Sequence, residues 1–214
     1  SYYTLQAAGY IIDVYRGKYR ATENFGKLAL FLSFFPQIVE GPIGRYDLLA
    51  DNLYEGHPFD YDRTAFALQR IVWGLFKKMV IADRANILVS EVFGSAGKYS
   101  GSVILLAGVL YTLQIYAEFS GCMDIVIGSG QLFGVTMSEN FCRPFFSKSV
   151  NEFWRRWHIT LGAWLKDYVF YSVSLSKPFM KLSRFAKEHL NEFLGSLVPA
   201  SFALFFTWFG IGFW

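Results

Sequence analysis

Long apolar stretches, separated by short polar segments, set the pattern of this chain. Residues 1–15 are almost entirely apolar, and basic residues follow at positions 16, 18 and 20. This order predicts the end of a membrane-spanning helix that runs into a basic loop, and basic loops tend to face the cytoplasm. Tyr99–Ala117 carries no charge and is long enough to cross a bilayer, for which a helix needs roughly 20 residues. A further apolar run over Ile125–Val135 predicts a separate helix after Glu118 and Asp124.

Shorter segments lie between these runs. Leu28–Val39 is apolar but too short to cross a bilayer, and Pro36 interrupts it. Either a re-entrant or interfacial segment or an ordinary loop after a short helix fits this pattern. Tyr46–Arg63 is polar and rich in turn residues, which predicts an aqueous loop with His57 on its surface. Thr64–Ala82 repeats apolar residues at helical spacing beside a basic edge, which predicts an amphipathic helix at the membrane interface.

The C-terminal part repeats the same alternation. Apolar residues recur at helical spacing after Pro178, among many basic ones, which predicts a second interfacial helix. Phe193–Trp214 carries no charge and is long enough to span a bilayer. The chain begins with Ser rather than Met and is still apolar at Trp214, so we expect it to be an internal piece of a longer protein.

Composition supports a membrane protein. Hydrophobic residues make up 53% of the chain and aromatic residues 20%, more than a water-soluble domain usually carries. We therefore predict an all-α fold, a polytopic transmembrane helical bundle with interfacial and re-entrant helices, in a single membrane-embedded domain over 1–214 that is incomplete at both ends. The net charge of +3 is scattered, which gives no support for nucleic-acid binding. Cys122 and Cys142 show no metal-ligand spacing, and we predict no metal site.

One stretch concentrates the residues that could carry chemistry, Asn140–Tyr168, NFCRPFFSKSVNEFWRRWHITLGAWLKDY. Interpreted as one helix from about Val150, it has an apolar face and a charged face. The apolar face would carry Trp154, His158, Leu161 and Leu165. The charged face would carry Arg156, Thr160 and Asp167, with Arg155 beside it.

His158 allows two interpretations from the residues alone. It could be a hydrogen-bonded histidine that packs the helix, which is the more frequent role of a single histidine on an apolar face. It could also be a general base, because desolvation among indole rings favours the neutral imidazole that accepts a proton from a hydroxyl. Glu118 and Asp124 also allow two interpretations. They could lie at a membrane border, or they could line a polar interior such as the ion path of a transporter.

Four motifs in order along the chain resemble one known family. They are SYYTLQAAGYIIDVYRG, FFPQIVEGPIGRY, EFSGCMDIVIG and the stretch around WRRWHITLGAWLKDY. Together they resemble the membrane-bound O-acyltransferase superfamily, in its bacterial branch of alginate O-acetyltransferases and teichoic acid D-alanine transfer proteins. The resemblance implies that His158 is one of two histidines associated with acyl transfer. The other belongs to a Trp-His-Gly motif that would follow the end of this chain.

The resemblance also implies a function and a site. The expected reaction moves an acyl group, expected to be acetyl, from a thioester donor to a hydroxyl of a cell-envelope polysaccharide or polymer. The donor would be acyl-CoA or the phosphopantetheine thioester of a carrier protein, with no permanently bound cofactor. Residues expected to bind substrate or support the site are Trp154, Trp157, Arg155, Asp167, Asn151, Glu118 and Asp124.

Partners and location follow from the same resemblance. We expect a multi-pass protein of the cytoplasmic membrane that contacts lipid, a polysaccharide or teichoic-acid-like acceptor, and an extracytoplasmic acyl-transfer protein or acyl carrier protein. Two alternatives remain: a transporter or channel-like subunit that uses Glu118 and Asp124, and a noncatalytic scaffold, since this piece lacks the second histidine. This piece alone is expected to be inactive.

Overall fold

The structure is a computed structural model that describes residues 2–38, 40–189 and 191–213. Ser1, Val39 and Trp214, at the ends of three segments discussed above, lie outside the described residues. Within the described ranges the chain forms helices and connecting turns, with no β-strand, as an all-α fold requires. The helices form two compact units, residues 1–142 and 143–214. The prediction of a single domain over the whole chain stays a prediction.

The described residues of the first unit form seven α-helices. Two of them are joined by a π-helical turn at Lys77–Ala82, so that the backbone runs without interruption from Tyr61 to Gly94. In chain order the helices are α1 (Tyr2–Tyr15), α2 (Phe25–Ser33), α3 (Phe35–Ile38), α4 (Tyr46–Tyr54), α5 (Tyr61–Phe76), α6 (Asp83–Gly94) and α7 (Gly101–Leu132).

The core of this unit forms where α1, α2, α4 and the end of α7 meet. Phe31 is fully buried at its centre, and Gln6 of α1 donates a hydrogen bond to the Phe31 carbonyl at 2.7 Å. Such a bond satisfies polar groups that burial would otherwise leave without a partner. The buried residues of this cluster are Tyr10, Phe31, Phe34, Leu49, Leu53, Ile127, Val135 and Met137.

The break between α2 and α3 has a sequence cause. Pro36 lacks the N–H that would continue the α2 hydrogen-bond ladder, and Phe34 leaves helical geometry with ψ 108°. The predicted proline-broken arm over Leu28–Val39 is thus confirmed as two short helices for its described part, while its depth in a membrane stays a prediction. The predicted aqueous loop over Tyr46–Arg63 was wrong in part, because α4 fills its first half and buries Leu49.

Helix α7 corrects a second expectation. Glu118 and Asp124 were predicted to separate two apolar helices, yet α7 is one helix of 32 residues that passes through both. The charges are tolerated because each has a cationic partner from the α5 side. Lys78 Nζ lies 2.6 Å from a Glu118 oxygen, and Lys77 Nζ lies 2.5 Å from an Asp124 oxygen. Pairing offsets part of the desolvation cost that a lone carboxylate would impose on an apolar helix.

Small residues let α5 and α7 approach closely. A Cβ placed on Gly74 would lie 2.5 Å from the Gly121 carbonyl oxygen, and one on Gly128 would lie 2.9 Å from the Ala67 carbonyl oxygen. No side chain fits at such separations, so these positions require glycine. The close approach also brings the cations of α5 within reach of the α7 carboxylates.

The second unit contains five α-helices and two non-α turns. A 3-10 turn covers Pro144–Phe146, and a π-helical turn covers Lys166–Phe170. The helices are α8 (Val150–Arg156), α9 (Ile159–Leu165), α10 (Tyr171–Ser174), α11 (Lys177–His189) and α12 (Glu192–Phe213).

The predicted continuous helix from Val150 through His158 was wrong. Helix α8 ends at Arg156, and α9 begins at Ile159 after a turn. The predicted helix after Pro178 is confirmed as α11. The predicted apolar helix over Phe193–Trp214 corresponds to α12 in its described part.

One described helix has the length and apolar composition that crossing a bilayer requires. In the part of the chain that the structure describes, Gly101–Leu132 is long and apolar enough to cross a bilayer, and Leu197–Gly210 is a shorter apolar stretch. The multi-spanning bundle therefore stays a prediction.

The close approach of α5 and α7 gives a first test. We expect Gly74→Ala to lower the free energy of unfolding by about 1–3 kcal/mol, because the new methyl group must push the two backbones apart. The measurement is thermal unfolding of the intact protein in detergent. Gly108→Ala is the control. Gly108 lies in α7 with nothing within 4 Å of an added Cβ, so this change should leave stability unchanged or slightly raise it. Equal effects of the two changes would contradict the packing account.

Candidate active site

The site begins at a capped helix N-terminus. The Ser149 hydroxyl accepts a hydrogen bond from the Glu152 N–H at 3.1 Å, and a Glu152 oxygen accepts one from the Lys148 N–H at 2.8 Å. Arg156 adds an ion pair to Glu152 at 2.5 Å. The Lys148 N–H and the Arg156 guanidinium lower the pKa of Glu152. Helix α8 is thus fixed at its start by the S-x-x-E pattern of its own sequence.

A sharp turn follows at Trp157 and His158. Trp157 is extended, with φ −107° and ψ 125°, and its N–H still donates to the Phe153 carbonyl at 2.9 Å. His158 adopts a left-handed backbone, with φ 46° and ψ 54°, and its carbonyl accepts from the Gly162 N–H at 3.0 Å. A left-handed conformation costs a non-glycine residue roughly 1 kcal/mol or more. The imidazole is therefore carried on a turn between α8 and α9 rather than along a helix face.

Aromatic side chains surround this turn on two sides. Trp157 stacks on Phe153 with ring centroids 5.6 Å apart, and it meets Phe145 edge-on at 6.3 Å. Trp154 points elsewhere: its ring lies edge-on to Trp208 of α12 at 4.9 Å. The two tryptophans predicted to share the site with His158 thus contact two different elements. Trp157 contacts the Pro144–Phe146 turn, and Trp154 contacts α12.

His158 lies in a partly desolvated environment. The side chain is half-buried, and burial lowers the pKa of His158 to about 4. Its imidazole is neutral at physiological pH, because the charged form would lose its hydration. A neutral imidazole can accept a proton, which is the state that a general base requires.

The other predicted residues of this unit have distinct positions. Arg156 belongs to the α8 ion pair with Glu152, so its role in the structure is to stabilise the helix. Asn151 and Arg155 are exposed on α8, and Asp167 is half-buried in the π-helical turn after α9. π-Helical turns occur often at functional sites. The structure places Trp154, Trp157 and His158 on one continuous segment, with Asp167 beyond α9.

Glu118 and Asp124 belong to the first unit. Asp124 is contacted by Lys77 at 2.5 Å and by Arg70 at 3.0 Å, while Arg70 also binds Glu139 at 2.6 Å. Glu118 is paired with Lys78 at 2.6 Å. Both carboxylates are therefore engaged in ion pairs between helices, an arrangement that favours a structural role.

Sequence reasoning missed several of these contacts. The S-x-x-E pattern at Ser149 predicts the N-terminus of α8 and was available in the sequence. The contacts of Phe145 with Trp157 and of Trp208 with Trp154 had no such signal, because they join residues that are not at helical spacing. Across the described ranges, no three His, Cys, Asp or Glu side chains come together in a way that could hold a metal ion.

These features define a class of protein. The sequence profile of the membrane-bound O-acyltransferase family matches residues 20–187. The matched segment contains the turn at His158, the aromatic cluster around Trp157 and the α5–α7 pair. The chain belongs to the membrane-bound O-acyltransferase family.

Three individual members of this family are similar to the chain in sequence. The chain is similar to a probable alginate O-acetylase of Pseudomonas syringae pv. tomato, with 35% identity over 97% of this chain and 40% of that protein. It is 32% identical to a peptidoglycan O-acetyltransferase of Helicobacter pylori, over 79% of this chain and 37% of that protein. It is 27% identical to a teichoic acid D-alanyltransferase of Bacillus subtilis, over 99% of this chain and 53% of that protein. The chain thus spans about half or less of the length of these relatives.

The burial of His158 predicts a pH effect on stability. In the unfolded chain a histidine has a pKa near 6.5, above the value of about 4 in the folded site. Because the unfolded state binds the proton more readily, the stabilising contribution is present above pH 6.5 and is lost as the pH falls towards 4. We expect the intact protein to lose about 1–2 kcal/mol more than His158→Asn between pH 7 and pH 5, measured by chemical unfolding in detergent. Equal losses would show that His158 is hydrated.

The ion pairs of α7 predict a further difference. Asp124→Asn should lower the free energy of unfolding by about 2–3 kcal/mol, because it leaves Arg70 and Lys77 half-buried with one fewer carboxylate. The Glu139→Gln change removes an exposed partner of the same Arg70 and should cost less than about 1 kcal/mol. Thermal unfolding of both variants provides the comparison. A larger cost for Glu139→Gln would contradict the assignment of Asp124 as the centre of this network.

Proposed function

We propose that the intact protein is a membrane-bound O-acyltransferase that modifies a hydroxyl-bearing polymer of the cell envelope, with His158 as a catalytic residue. The observation that carries the proposal is the neutral, half-buried imidazole of His158, held on a left-handed turn in the segment that the family profile covers. Packing alone does not require a non-glycine residue in this conformation, since a left-handed turn is adopted most readily by glycine. A histidine kept there at a conformational cost points to a use of its side chain.

The proposed reaction is a transfer of an acyl group from sulfur to oxygen. An imidazole nitrogen of His158 takes the proton of the acceptor hydroxyl, and the oxygen attacks the thioester carbonyl carbon. The C–O bond forms, the C–S bond breaks, and the departing thiolate receives the proton from the imidazolium. The products are an ester and a free thiol. A thiolate is a good leaving group, so proton transfer is the main assistance the protein must give.

The acyl group and the acceptor are proposed from the relatives. Proteins named as O-acetylating alginate and peptidoglycan are 35% and 32% identical to this chain, against 27% for the teichoic acid D-alanyltransferase. We therefore favour acetyl transfer to an envelope polysaccharide. The donor would be acyl-CoA or a carrier-protein phosphopantetheine thioester, with a carrier or acyl-transfer protein as partner. The protein would cross the cytoplasmic membrane several times.

Roles for the neighbouring residues follow from their positions. Trp157, which stacks on Phe153, would limit the access of water to the turn at His158, and Trp154 would join this segment to α12 through Trp208. The exposed side chains of Arg155 and Asn151 on α8 would contact polar parts of a substrate, and Asp167 would hold the end of α9. Glu118 and Asp124, which were expected to support the site, would stabilise the first unit by joining α7 to α5 and to the π-helical turn after it.

The transporter alternative is less well supported by the contacts. An ion path needs carboxylates that can exchange their partners with a passing cation. Asp124 already has two cationic side chains within 3.0 Å, and Glu118 has one at 2.6 Å. Their pairing favours a fixed structural network.

The test replaces His158 without disturbing its turn. Asparagine adopts a left-handed backbone more readily than alanine, so His158→Asn should fold while removing the base. In cells that depend on the intact protein for envelope-polymer acylation, we expect His158→Asn to lower ester content at least 100-fold, a loss that general-base catalysis accounts for. His189→Asn is the matched control, because His189 is exposed on α11 and stacks on Phe185.

Two readouts separate the outcomes. Membrane abundance and unfolding temperature of His158→Asn should match the control, while polymer-bound ester, measured by mass spectrometry after mild alkaline release, should disappear. Normal ester content in a normally abundant His158→Asn protein would overturn the proposed role. Loss of ester content in His189→Asn would show that the assay reports general damage.

A further inference from the structure

The surface of α11 carries an exposed row of basic side chains. Lys177, Lys181 and Arg184 recur at intervals of four and three residues, which places them on one stripe of the helix. Lys187 lies beside this stripe, and all four side chains are exposed. Glu188 is the one acidic residue in the helix sequence. We refer to these four cations as the basic stripe.

The opposite side of α11 is fixed against α12. Ala186 is 3% exposed, the Ser183 hydroxyl donates to the Gly195 carbonyl at 2.6 Å, and Phe179 lies 5.7 Å from Phe202 between ring centroids. Residues late in α11 thus meet the start of α12, and residues early in α11 meet its middle. The two helices form an antiparallel hairpin.

The hairpin combines two very different surfaces. Helix α12 carries no charge after Glu192, and many of its aromatic side chains are exposed, among them Phe205 at 61% and Phe209 at 61%. The side chains of Leu175, Met180 and Phe185, next to the basic stripe, are 65%, 42% and 58% exposed. Apolar groups that flank a row of cations are typical of a helix that lies at a membrane surface.

Electrostatics decides where such a hairpin can lie. Each unpaired Lys or Arg in the hydrocarbon core costs roughly 3 kcal/mol, so Lys177, Lys181 and Arg184 of α11 could not face lipid tails. Their long side chains can instead reach anionic headgroups while the apolar flank enters the acyl region. Attraction to such headgroups contributes about 1 kcal/mol per basic residue near the surface.

We propose that the basic stripe of α11 is a binding surface for the headgroups of anionic phospholipids, which holds the α11–α12 hairpin at the membrane surface. The phosphate groups of lipid headgroups are the occupant, rather than an acidic protein, because the apolar flank and α12 require a hydrocarbon phase within one helix diameter of the cations. This surface is separate from the chemistry proposed for His158 and does not depend on it.

The test compares lipid compositions around the intact protein. It is placed in nanodiscs of phosphatidylcholine alone or with 30% phosphatidylglycerol by mole, and amide hydrogen exchange of the α11 peptides is followed by mass spectrometry. We expect exchange in α11 to slow by roughly 100–1,000-fold in the anionic discs, from the attraction of three or four cations. The effect should be lost in 0.5 M salt, because salt screens such attraction.

Two triple variants make the result specific. The variant Lys177→Gln, Lys181→Gln, Arg184→Gln should exchange at the same rate in both disc types. A control with equal charge loss, Arg20→Gln, Arg84→Gln, Lys98→Gln, removes exposed cations of the first unit and should respond as the parent protein does.

The remaining outcomes overturn the proposal. Equal exchange of α11 in the two disc types would show that the stripe does not bind anionic lipid. Slowing by inorganic phosphate in neutral discs would identify the site as one for free phosphate. Slowing by an acidic carrier protein in neutral discs, without any effect of phosphatidylglycerol, would identify a protein-docking surface.

Discussion

The left-handed backbone at His158 determines how the second unit is arranged. It ends α8 after two turns and lets α9 begin at Ile159, directly after the stacked pair of Trp157 and Phe153. A continuous helix would have placed His158 one turn above Trp154, on a face shared with leucines. The turn instead separates the imidazole from that face. The same conformation is expensive for histidine, so the capped and ion-paired α8 must compensate for it.

The first unit depends on a different constraint, the close approach of α5 and α7. Glycines at the contact allow two backbones to touch, and this proximity lets Lys77, Lys78 and Arg70 reach the carboxylates of α7. Packing and charge pairing therefore support each other: without the small residues the cations would not reach, and without the cations an apolar helix could not contain Glu118 and Asp124. Among the described residues, α7 is the helix that is long and apolar enough to cross a bilayer.

Many of the helices could be predicted from the periodicity of apolar residues, and the predictions that were wrong failed for physical reasons. The all-α class, α1, α11 and the proline break before α3 followed from apolar spacing and from the missing N–H of Pro36. The unbroken α7 could not be predicted, because its charges are neutralised by residues about 50 positions away. The turn at His158 has no glycine or proline to mark it. The neutral state of His158 was anticipated from its aromatic neighbours, but the contact between Trp154 and Trp208 depends on tertiary packing.

The most direct measurement is the titration of His158 itself. The intact protein, labelled with nitrogen-15 in histidine, can be followed by magnetic resonance from pH 8 to pH 4.5, with the His158→Asn spectrum to assign the signal. The account predicts a neutral imidazole throughout, with at most partial protonation at the lowest pH, because burial lowers the pKa of His158 to about 4. A midpoint near 6.5 would mean a hydrated histidine, and the case for a desolvated base at this turn would fail.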